Sequence, residues 1–159
     1  MASETPPFHS SRHDHERCTS NALQDAAALC AQRGARFTPL RQRVLEIVWQ
    51  ARRPVGAYDI LKILGEERGS SAPPTVYRAL EFLLEHGLMH RLSSLNAFIG
   101  CSSPGAPGAH QFLICRQCGS AAELNDKNVE RAIVKSAESL GFTPERHVVE
   151  IAGVCPNCH

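Results

Sequence analysis

GAYDILKILGEERGSSAPPTVYRALEFLLEHGLMHRLSSLNAFIGC, residues 56–101, carries the strongest structural signal in this chain. Apolar residues recur at helical spacing on both sides of a Gly/Ser/Pro-rich break at 69–74, which predicts one helix over Ala57–Glu67 and a second that begins at Thr75. Two short runs at 88–92 and 97–101 then predict a β-hairpin. Two helices joined by a tight break and followed by a two-stranded wing predict a winged helix-turn-helix.

Further helical patterns precede this stretch. Ala22–Arg33 is rich in Ala, Leu and Gln and ends before a glycine, as helices often do. Thr38 followed by Pro39 is typical of an N-cap and a first helical position. The first 20 residues are polar, with three histidines among Pro, Ser and charged residues. We therefore expect a disordered tail at 1–20 and the winged-helix domain at 21–101.

A second domain is predicted downstream. A Pro-Gly-Ala-Pro-Gly run predicts a hinge loop at 102–109. Strands are predicted at His110–Ile114, Ala121–Leu124 and Arg146–Ile151, with an amphipathic helix over Asp126–Leu140. The chain is thus predicted to be an α+β protein, with an N-terminal winged helix-turn-helix domain and a small α/β domain over 110–159.

Two Cys-x2-Cys pairs, Cys115/Cys118 and Cys155/Cys158, lie in this second domain. One such pair could be a redox motif, but two pairs supply four thiolates for one tetrahedral zinc ion. Gly119 after the first pair, and Pro-Asn inside the second, suit the tight turns that such pairs need. Because 36 residues separate the two pairs, the predicted structural zinc holds together a helix and a strand.

Composition limits the possible functions. A formal net charge of +1 over 159 residues predicts no global field, although residues 33–91 hold ten Lys and Arg against six Asp and Glu. No apolar run reaches the roughly 18–20 residues of a membrane span, and the first 17 residues lack the apolar core of a signal peptide. Seven cysteines, an odd number, favour a reducing compartment, so we expect a cytoplasmic, metal-binding protein.

Two motifs resemble those of a known family. The run Pro73-Pro-Thr-Val-Tyr-Arg-Ala-Leu80 and the later Cys115-x2-Cys118-Gly119 are similar to signatures of the ferric uptake regulator family of metalloregulators. The resemblance covers residues 20–158 and is strongest to the zinc uptake regulators within that family. It implies a homodimer, joined through the C-terminal domain, that binds double-stranded operator DNA when loaded with zinc and represses zinc-uptake genes. It implies no membrane partner and no small-molecule substrate.

The resemblance also implies a second, regulatory metal site. Iron-type members typically present a His-His-Asp-His run before the first Cys pair, whereas this chain reads Ala-His-Gln-Phe at 109–112, and phenylalanine cannot bind a metal. The side chains that match the zinc type offer two nitrogens, one sulfur and one oxygen: His90, Cys101, His110 and Glu123. Roughly two zinc ions per chain are expected, and His147 is a candidate for an accessory third site.

The helix that begins at Thr75 is the candidate for reading DNA. In a helix-turn-helix its N-terminal end points toward the major groove, where Arg78 can bind guanine O6 and N7 and Thr75 can contact a phosphate. Tyr77 either contacts DNA or packs against the wing. The candidate DNA contacts are Tyr58, Thr75, Tyr77, Arg78, Arg36 and Arg41, with Tyr58 taken from the resemblance.

Other functions stay open on the sequence alone. A sensor of iron, peroxide or thiol redox state on the same scaffold is the main alternative, although Gln111-Phe112 disfavours a His/Asp iron site. A constitutive zinc-stabilised DNA-binding protein is a second alternative. An enzyme is least expected, because the sequence shows neither a nucleophile–base pair nor a phosphate-binding loop.

Overall fold

The computed structural model describes residues 8, 14–69, 72–106, 110–145 and 147–159. Apart from residue 8, they fall into a helical unit within Ser11–Gly105 and a tail unit within Ala106–His159. The division lies inside the predicted hinge, of which residues 107–109 are outside the described residues. In chain order the elements are α1 (His15–Gln32), α2 (Pro39–Gln50), α3 (Ala57–Arg68), α4 (Pro73–Glu85), β1 (Met89–Leu92), β2 (Ala97–Gly100), β3 (His110–Cys115), β4 (Ala121–Leu124), α5 (Lys127–Ser139), β5 (Val148–Gly153) and a 3₁₀ turn (Pro156–Cys158).

Helix α1 begins inside the segment predicted as a disordered tail. The Asp14 side chain is the N-cap and accepts a hydrogen bond from the Arg17 N–H at 3.1 Å, so the helix starts at His15 instead of Ala22. The prediction of disorder is therefore wrong for residues 15–20. Residues 1–7 and 9–13 of the predicted tail lie outside the described residues.

Proline marks the start of α2 and α4, two of the helices that carry candidate DNA contacts. Helix α2 begins at Pro39, with Thr38 as the predicted N-cap accepting from the Arg41 N–H at 3.4 Å. Helix α4 begins at Pro73, two residues before the predicted start at Thr75. The N–H groups in the first turn of a helix have no partner within the helix, and proline has no N–H group to leave unpaired. The two consecutive prolines therefore fit inside the first turn of α4, and the helix begins with them.

The core of the helical unit forms around α2, which packs against α1 and α4. Its inward face is apolar, as the helical spacing predicts. The buried side chains include Val44, Leu45, Ile47 and Val48 of α2, Ile60 and Leu64 of α3, and Val76, Ala79, Leu80 and Leu83 of α4. On the outer side, Arg43 of α2 forms ion pairs with Glu46, at 2.7 Å, and with Glu67 of α3.

Strands β1 and β2 form the predicted antiparallel wing. His90 lies opposite Ile99, and Met89 lies opposite Gly100. A bridge between Val55 and Phe98 ties the wing to the segment between α2 and α3. The turn at the tip contains Asn96 with φ +47°, a left-handed conformation that asparagine tolerates better than most residues.

The tail unit is a three-stranded sheet in the order β4-β3-β5, with α5 as the connection between β4 and β5. The central strand β3 pairs antiparallel with β4 and parallel with β5. Strand β5 begins at Val148, two residues after the predicted start, and Arg146 lies outside the described residues. Across the described residues, no helix is both long and apolar enough to cross a membrane.

Replacing Thr38 with alanine tests the capping of α2. Loss of the side-chain acceptor leaves an N–H group at the start of the helix without its partner, which should lower the free energy of unfolding by about 1 kcal/mol. Urea denaturation of the zinc-loaded protein, followed by circular dichroism at the helical band, measures the change. Thr75→Ala is the matched control, because Thr75 lies inside α4 and is exposed. An equal loss of stability in both variants would contradict the assignment.

Candidate metal centres and DNA interface

The parallel pairing of β3 and β5 brings the two cysteine pairs together. Cys115 at the end of β3 lies opposite Gly153 at the end of β5, and Cys155 follows two residues later. The four Sγ atoms of Cys115, Cys118, Cys155 and Cys158 all lie within 4.8 Å of one another. The pairing of β3 with β5 thus brings together two cysteine pairs that are separated by 36 residues in the sequence.

Each cysteine pair lies on a tight turn held by main-chain hydrogen bonds. Gly119 N–H donates to the Cys115 carbonyl at 3.0 Å, and Gly119 has φ +71°, where glycine is favoured. In the second turn, Cys158 N–H donates to the Cys155 carbonyl at 2.9 Å. The predicted roles of glycine in the first turn and Pro-Asn in the second agree with this geometry.

Neighbouring groups change the acidity of these thiols unequally. Hydrogen bonds from the main-chain N–H groups of Cys118 and Cys155 lower the pKa of Cys115 to about 6. The Ser120 hydroxyl, 2.9 Å from the Cys118 Sγ, lowers the pKa of Cys118. Hydrogen bonding to Cys155 and Cys118 raises the pKa of Cys158 to about 12. The site is therefore built to stabilise negative charge on the first pair, which favours a cation.

The donor set fits zinc. A tetrahedral ion with Zn–S bonds of about 2.3 Å separates its sulfur ligands by about 3.8 Å. The Sγ atoms of Cys118 and Cys155 lie 3.7 Å apart. Four soft thiolates also leave no open position, which is the arrangement of a structural site and not of a catalytic one.

The two wing residues predicted to bind regulatory metal lie close together in the helical unit. A ring nitrogen of His90 and the Sγ of Cys101 lie within 4.8 Å of each other. Both residues are nearly inaccessible, at 9% and 4% exposure. Cys101 is positioned by its N–H, which donates to the Leu88 carbonyl at 3.1 Å. The hairpin therefore presents a nitrogen and a sulfur as a pair.

The two tail residues of the same predicted set also form a pair. His110 Nδ1 lies 3.2 Å from Glu123 Oε1. Their strands pair antiparallel, and Glu123 stands opposite Phe112, which is two residues from His110, so both side chains lie on one face of the sheet. The tail unit thus presents a nitrogen and an oxygen as a pair.

The residues that replace the iron-type ligands serve the fold. Gln111 is buried, and its Nε2 donates to the Asp126 carbonyl at 3.0 Å, at the N-cap of α5. Phe112 is fully buried in the tail unit. His147 Nε2 is buried and has no hydrogen-bond partner among the described residues, and no group of three or more candidate metal ligands there includes it.

The candidate DNA contacts on α3 and α4 face outward. Tyr58, at the second position of α3, is 78% exposed, and Tyr77 of α4 is 49% exposed. Arg78 is also exposed, while its neighbours Val76 and Ala79 face the core. The exposure of Tyr77 favours a contact with DNA over packing against the wing.

Two of the candidate DNA contacts, Thr75 and Arg41, also make contacts within the fold. The N–H of Thr75 already donates to the Ala72 carbonyl at 3.0 Å, so only its hydroxyl is a candidate for phosphate binding. Arg41 stacks over the Phe82 ring, with its Cζ 3.7 Å from the ring centroid, and donates to the Arg36 carbonyl. Arg41 therefore joins α2 to α4, a role that the sequence does not predict. Arg36 is exposed.

Sequence reasoning also missed Ser120 and Trp49. Ser120 hydrogen-bonds to a zinc-site thiol, and a serine directly after Cys-x2-Cys-Gly was the available signal. Trp49 packs against Gly100, beside the predicted ligand Cys101. Nothing in the sequence connects Trp49 with Gly100, because they lie on a helix and a strand that are distant along the chain.

Comparison with known proteins identifies the family. The model of the ferric uptake regulator family matches residues 32–152, most of this chain. The chain belongs to the ferric uptake regulator family.

Relatives within the family align along nearly the whole chain. The zinc uptake regulation protein of Escherichia coli (strain K12) is 37% identical over 141 residues, which cover 88% of this chain and 82% of the relative. The zinc uptake regulation protein of Mycobacterium tuberculosis (strain ATCC 25618 / H37Rv) is 32% identical over 131 residues, 79% of this chain and 95% of the relative.

Solved structures agree with the sequence relatives. A zinc uptake regulator complexed with zinc and DNA is similar with a TM-score of 0.82 and 37% identity, over 88% of this chain and 94% of that one. Holo XcZur is similar with a TM-score of 0.80 and 41% identity, over 88% of this chain and 97% of that one. The predicted winged-helix fold with a small zinc-binding domain is confirmed.

Cys118→Ser tests the four-cysteine site. Loss of one thiolate should remove the chelator-resistant zinc and unfold the tail unit, because ligation energy at such a site is folding energy. Metal analysis after dialysis against EDTA, together with circular dichroism, measures both effects. Cys18→Ser is the control, since Cys18 lies on α1 in the helical unit, and it should retain the wild-type zinc content. Equal zinc retention in the two variants would contradict the site.

Proposed function

We propose that this chain is a zinc-responsive transcription regulator that binds operator DNA as a zinc-loaded homodimer and represses zinc-uptake genes. The observation that carries the proposal is the similarity along 88% of the chain to a zinc uptake regulator solved with zinc and DNA. The chain is a regulator and not an enzyme. Since operator DNA is the partner, we place the protein in the cytoplasm.

We assign two zinc ions per chain, with different tasks. The ion at Cys115, Cys118, Cys155 and Cys158 would be structural, because a closed four-thiolate site exchanges its metal slowly and supports the fold of the tail unit. The other ion would be regulatory, and its proposed ligands are His90, Cys101, His110 and Glu123. Its two half-sites support this assignment.

Each half-site alone is too small to hold zinc firmly. The helical unit offers one nitrogen and one sulfur, and the tail unit offers one nitrogen and one oxygen. A tetrahedral zinc ion needs four ligands, so tight binding requires both units to contribute. Zinc would therefore bind preferentially to the arrangement of units in which all four ligands meet, and this preference is the basis of control.

Charge also favours zinc binding by all four proposed ligands together. The Cys101 thiolate and the Glu123 carboxylate carry two negative charges, which a divalent ion neutralises, so the filled site is formally neutral. Without the ion, the site would leave a thiol or thiolate beside a carboxylate, and these groups gain free energy by separating into water. To shift an equilibrium from 1:99 to 99:1, differential binding of about 5.5 kcal/mol is needed, and a zinc site supplies more than that.

The contact between His110 and Glu123 gives the carboxylate one of two tasks. Either Glu123 binds zinc through its second oxygen, or it orients His110 so that the other ring nitrogen binds zinc. Both tasks are compatible with the 3.2 Å separation of Nδ1 and Oε1. The substitution Glu123→Gln distinguishes the two tasks. Glutamine can keep part of an orienting hydrogen bond to His110, whereas it cannot supply the negative charge of a carboxylate that binds zinc.

Operator recognition would use the exposed side of α3 and α4. Arg78 is proposed to bind guanine, Tyr58 and Tyr77 to contact bases or sugar-phosphate, and Thr75 and Arg36 to contact phosphates. Arg41 is proposed to act from its stacked position over Phe82, where its guanidinium retains N–H groups for a phosphate.

The tail unit supplies the features of a dimer interface. Strand β5 is an edge strand of the sheet, and Val148 and Ile151 on it are 54% and 42% exposed. Helix α5 has apolar residues at helical spacing, yet none of its residues is buried. Leu140 and Phe142, just after α5, are 86% and 65% exposed. Pairing of two copies through these faces would place two α4 helices on a pseudo-palindromic operator.

DNA binding measured against buffered free zinc tests the proposal. The wild-type protein should bind a zinc-uptake operator only above a threshold of free zinc, with two zinc ions per chain at saturation. Cys101→Ser should raise that threshold by at least about 100-fold, because it removes a ligand and not an orienting group. Cys18→Ser is the matched control and should keep the wild-type threshold.

The same titration distinguishes the alternative functions. Operator binding that is indifferent to free zinc in the wild type would indicate a constitutive DNA-binding protein. A threshold set by ferrous iron, or lost on mild peroxide treatment while zinc is saturating, would indicate an iron or redox sensor.

Arg78→Ala tests the assignment of α4 as the recognition helix. Loss of a bidentate contact to guanine should weaken operator binding by roughly 5- to 150-fold, while binding to non-specific DNA falls much less. Fluorescence anisotropy with operator and scrambled duplexes, at saturating zinc, measures the two affinities. Arg17→Ala on the exposed side of α1 carries the same charge change and should leave the specificity ratio unchanged. Equal losses on both duplexes would contradict base recognition by Arg78.

A further inference from the structure

We propose that Trp49 is a positioning residue for zinc sensing, because its indole ring packs against Gly100 and thereby holds the adjacent ligand Cys101 in place. The inference rests on the proposed function of Cys101 as a regulatory zinc ligand. The effect of Trp49 would be on the zinc concentration at which DNA is bound, and not on the fold alone.

The contact between Trp49 and Gly100 leaves no room for a side chain on the strand. A Cβ atom at position 100 would lie 2.5 Å from Nε1 and 2.9 Å from Cδ2 of the indole, well inside van der Waals contact. Any residue other than glycine would force the ring or the strand to move. Of the glycines described this way, only Gly100 meets atoms closer than 3.0 Å.

The position of Gly100 in the hairpin explains why the contact matters. Side chains alternate between the two faces of a strand. Gly100 stands opposite Met89 and shares its face with Phe98, and both of these belong to the core that includes α2. His90 and Cys101 follow Met89 and Gly100 by one residue each and so project to the other face. The indole therefore supports the hairpin from behind the proposed ligand pair.

The same ring belongs to the helix that contacts α4. Trp49 lies in the last turn of α2, and α2 packs against α4 and β2. A shift of the strand end at Gly100 would therefore move α2, which is in direct contact with the recognition helix α4. The path from Cys101 through Gly100 and Trp49 to α4 stays within the helical unit, and it consists of packed groups that resist compression.

Trp49 also provides its own spectroscopic readout, since it is the single tryptophan of the chain. Zinc binding at Cys101 should change the emission of Trp49, with the same free-zinc midpoint as operator binding. In Cys101→Ser the emission should not respond at that zinc concentration. An emission that is indifferent to zinc in the wild type, although operator binding responds, would overturn the proposal.

A double-mutant cycle tests the positioning role. Gly100→Ala should raise the free-zinc midpoint of operator binding roughly tenfold, because the added methyl group displaces the ring or the strand. Trp49→Leu should raise it roughly threefold, since it removes the support. In the combined variant the smaller side chain makes room for the methyl group, so the midpoint should lie below that of Gly100→Ala alone. Additive shifts in the combined variant would overturn the proposal.

Two controls separate this role from a loss of stability or of function. Gly65→Ala adds a methyl group in the same unit where no atom lies within 4 Å, and it should keep the wild-type midpoint. Trp49→Phe retains a ring and should stay within about twofold of the wild type.

Should Gly100→Ala fail to fold, the Trp49→Leu midpoint and the wild-type emission decide whether Trp49 positions the ligand. A zinc-independent wild type refutes the proposed function, whereas a zinc-dependent wild type with an unshifted Gly100→Ala midpoint refutes only the role of Trp49.

Discussion

The parallel alignment of β3 with β5 is the constraint on which the tail unit depends. It places Cys115 and Cys155 at neighbouring strand ends, although 39 residues lie between them along the chain. Neighbouring hydrogen-bond donors lower the pKa of Cys115 and of Cys118, so negative charge gathers at this pair and a cation beside it is favoured. A zinc ion held by the four cysteines would be stabilised by that charge, and its binding would then be coupled to folding of the unit.

The two proposed zinc sites differ in how their ligands are distributed, and this difference explains their tasks. Four cysteines within one unit form a site that is complete whenever that unit is folded. The regulatory set is divided, with His90 and Cys101 in one unit and His110 and Glu123 in the other. A site divided in this way would bind metal well only when all four proposed ligands meet, so its occupancy would follow the concentration of free zinc.

Sequence patterns predicted the elements better than their ends. The Thr38-Pro39 start of α2 and the wing strands were correct because capping and alternation are local effects. Helix α1 was predicted seven residues too short at its start, since a polar first turn capped by Asp14 has the composition of a tail. The start of α4 was missed because two prolines, which break most helices, are tolerated in a first turn.

What the sequence determined by itself was the inventory of chemistry: two cysteine pairs, and a helix-turn-helix pattern with Tyr77 and Arg78 as candidate DNA contacts. Spacing and residue type are sufficient for these, because ligand chemistry and helical periodicity are read from nearby residues. Only the tertiary structure decided that Arg41 stacks on Phe82 and that the Trp49 ring occupies the place of a side chain at Gly100. Such contacts join residues distant in sequence through shape, and no local pattern encodes the shape of a packed core.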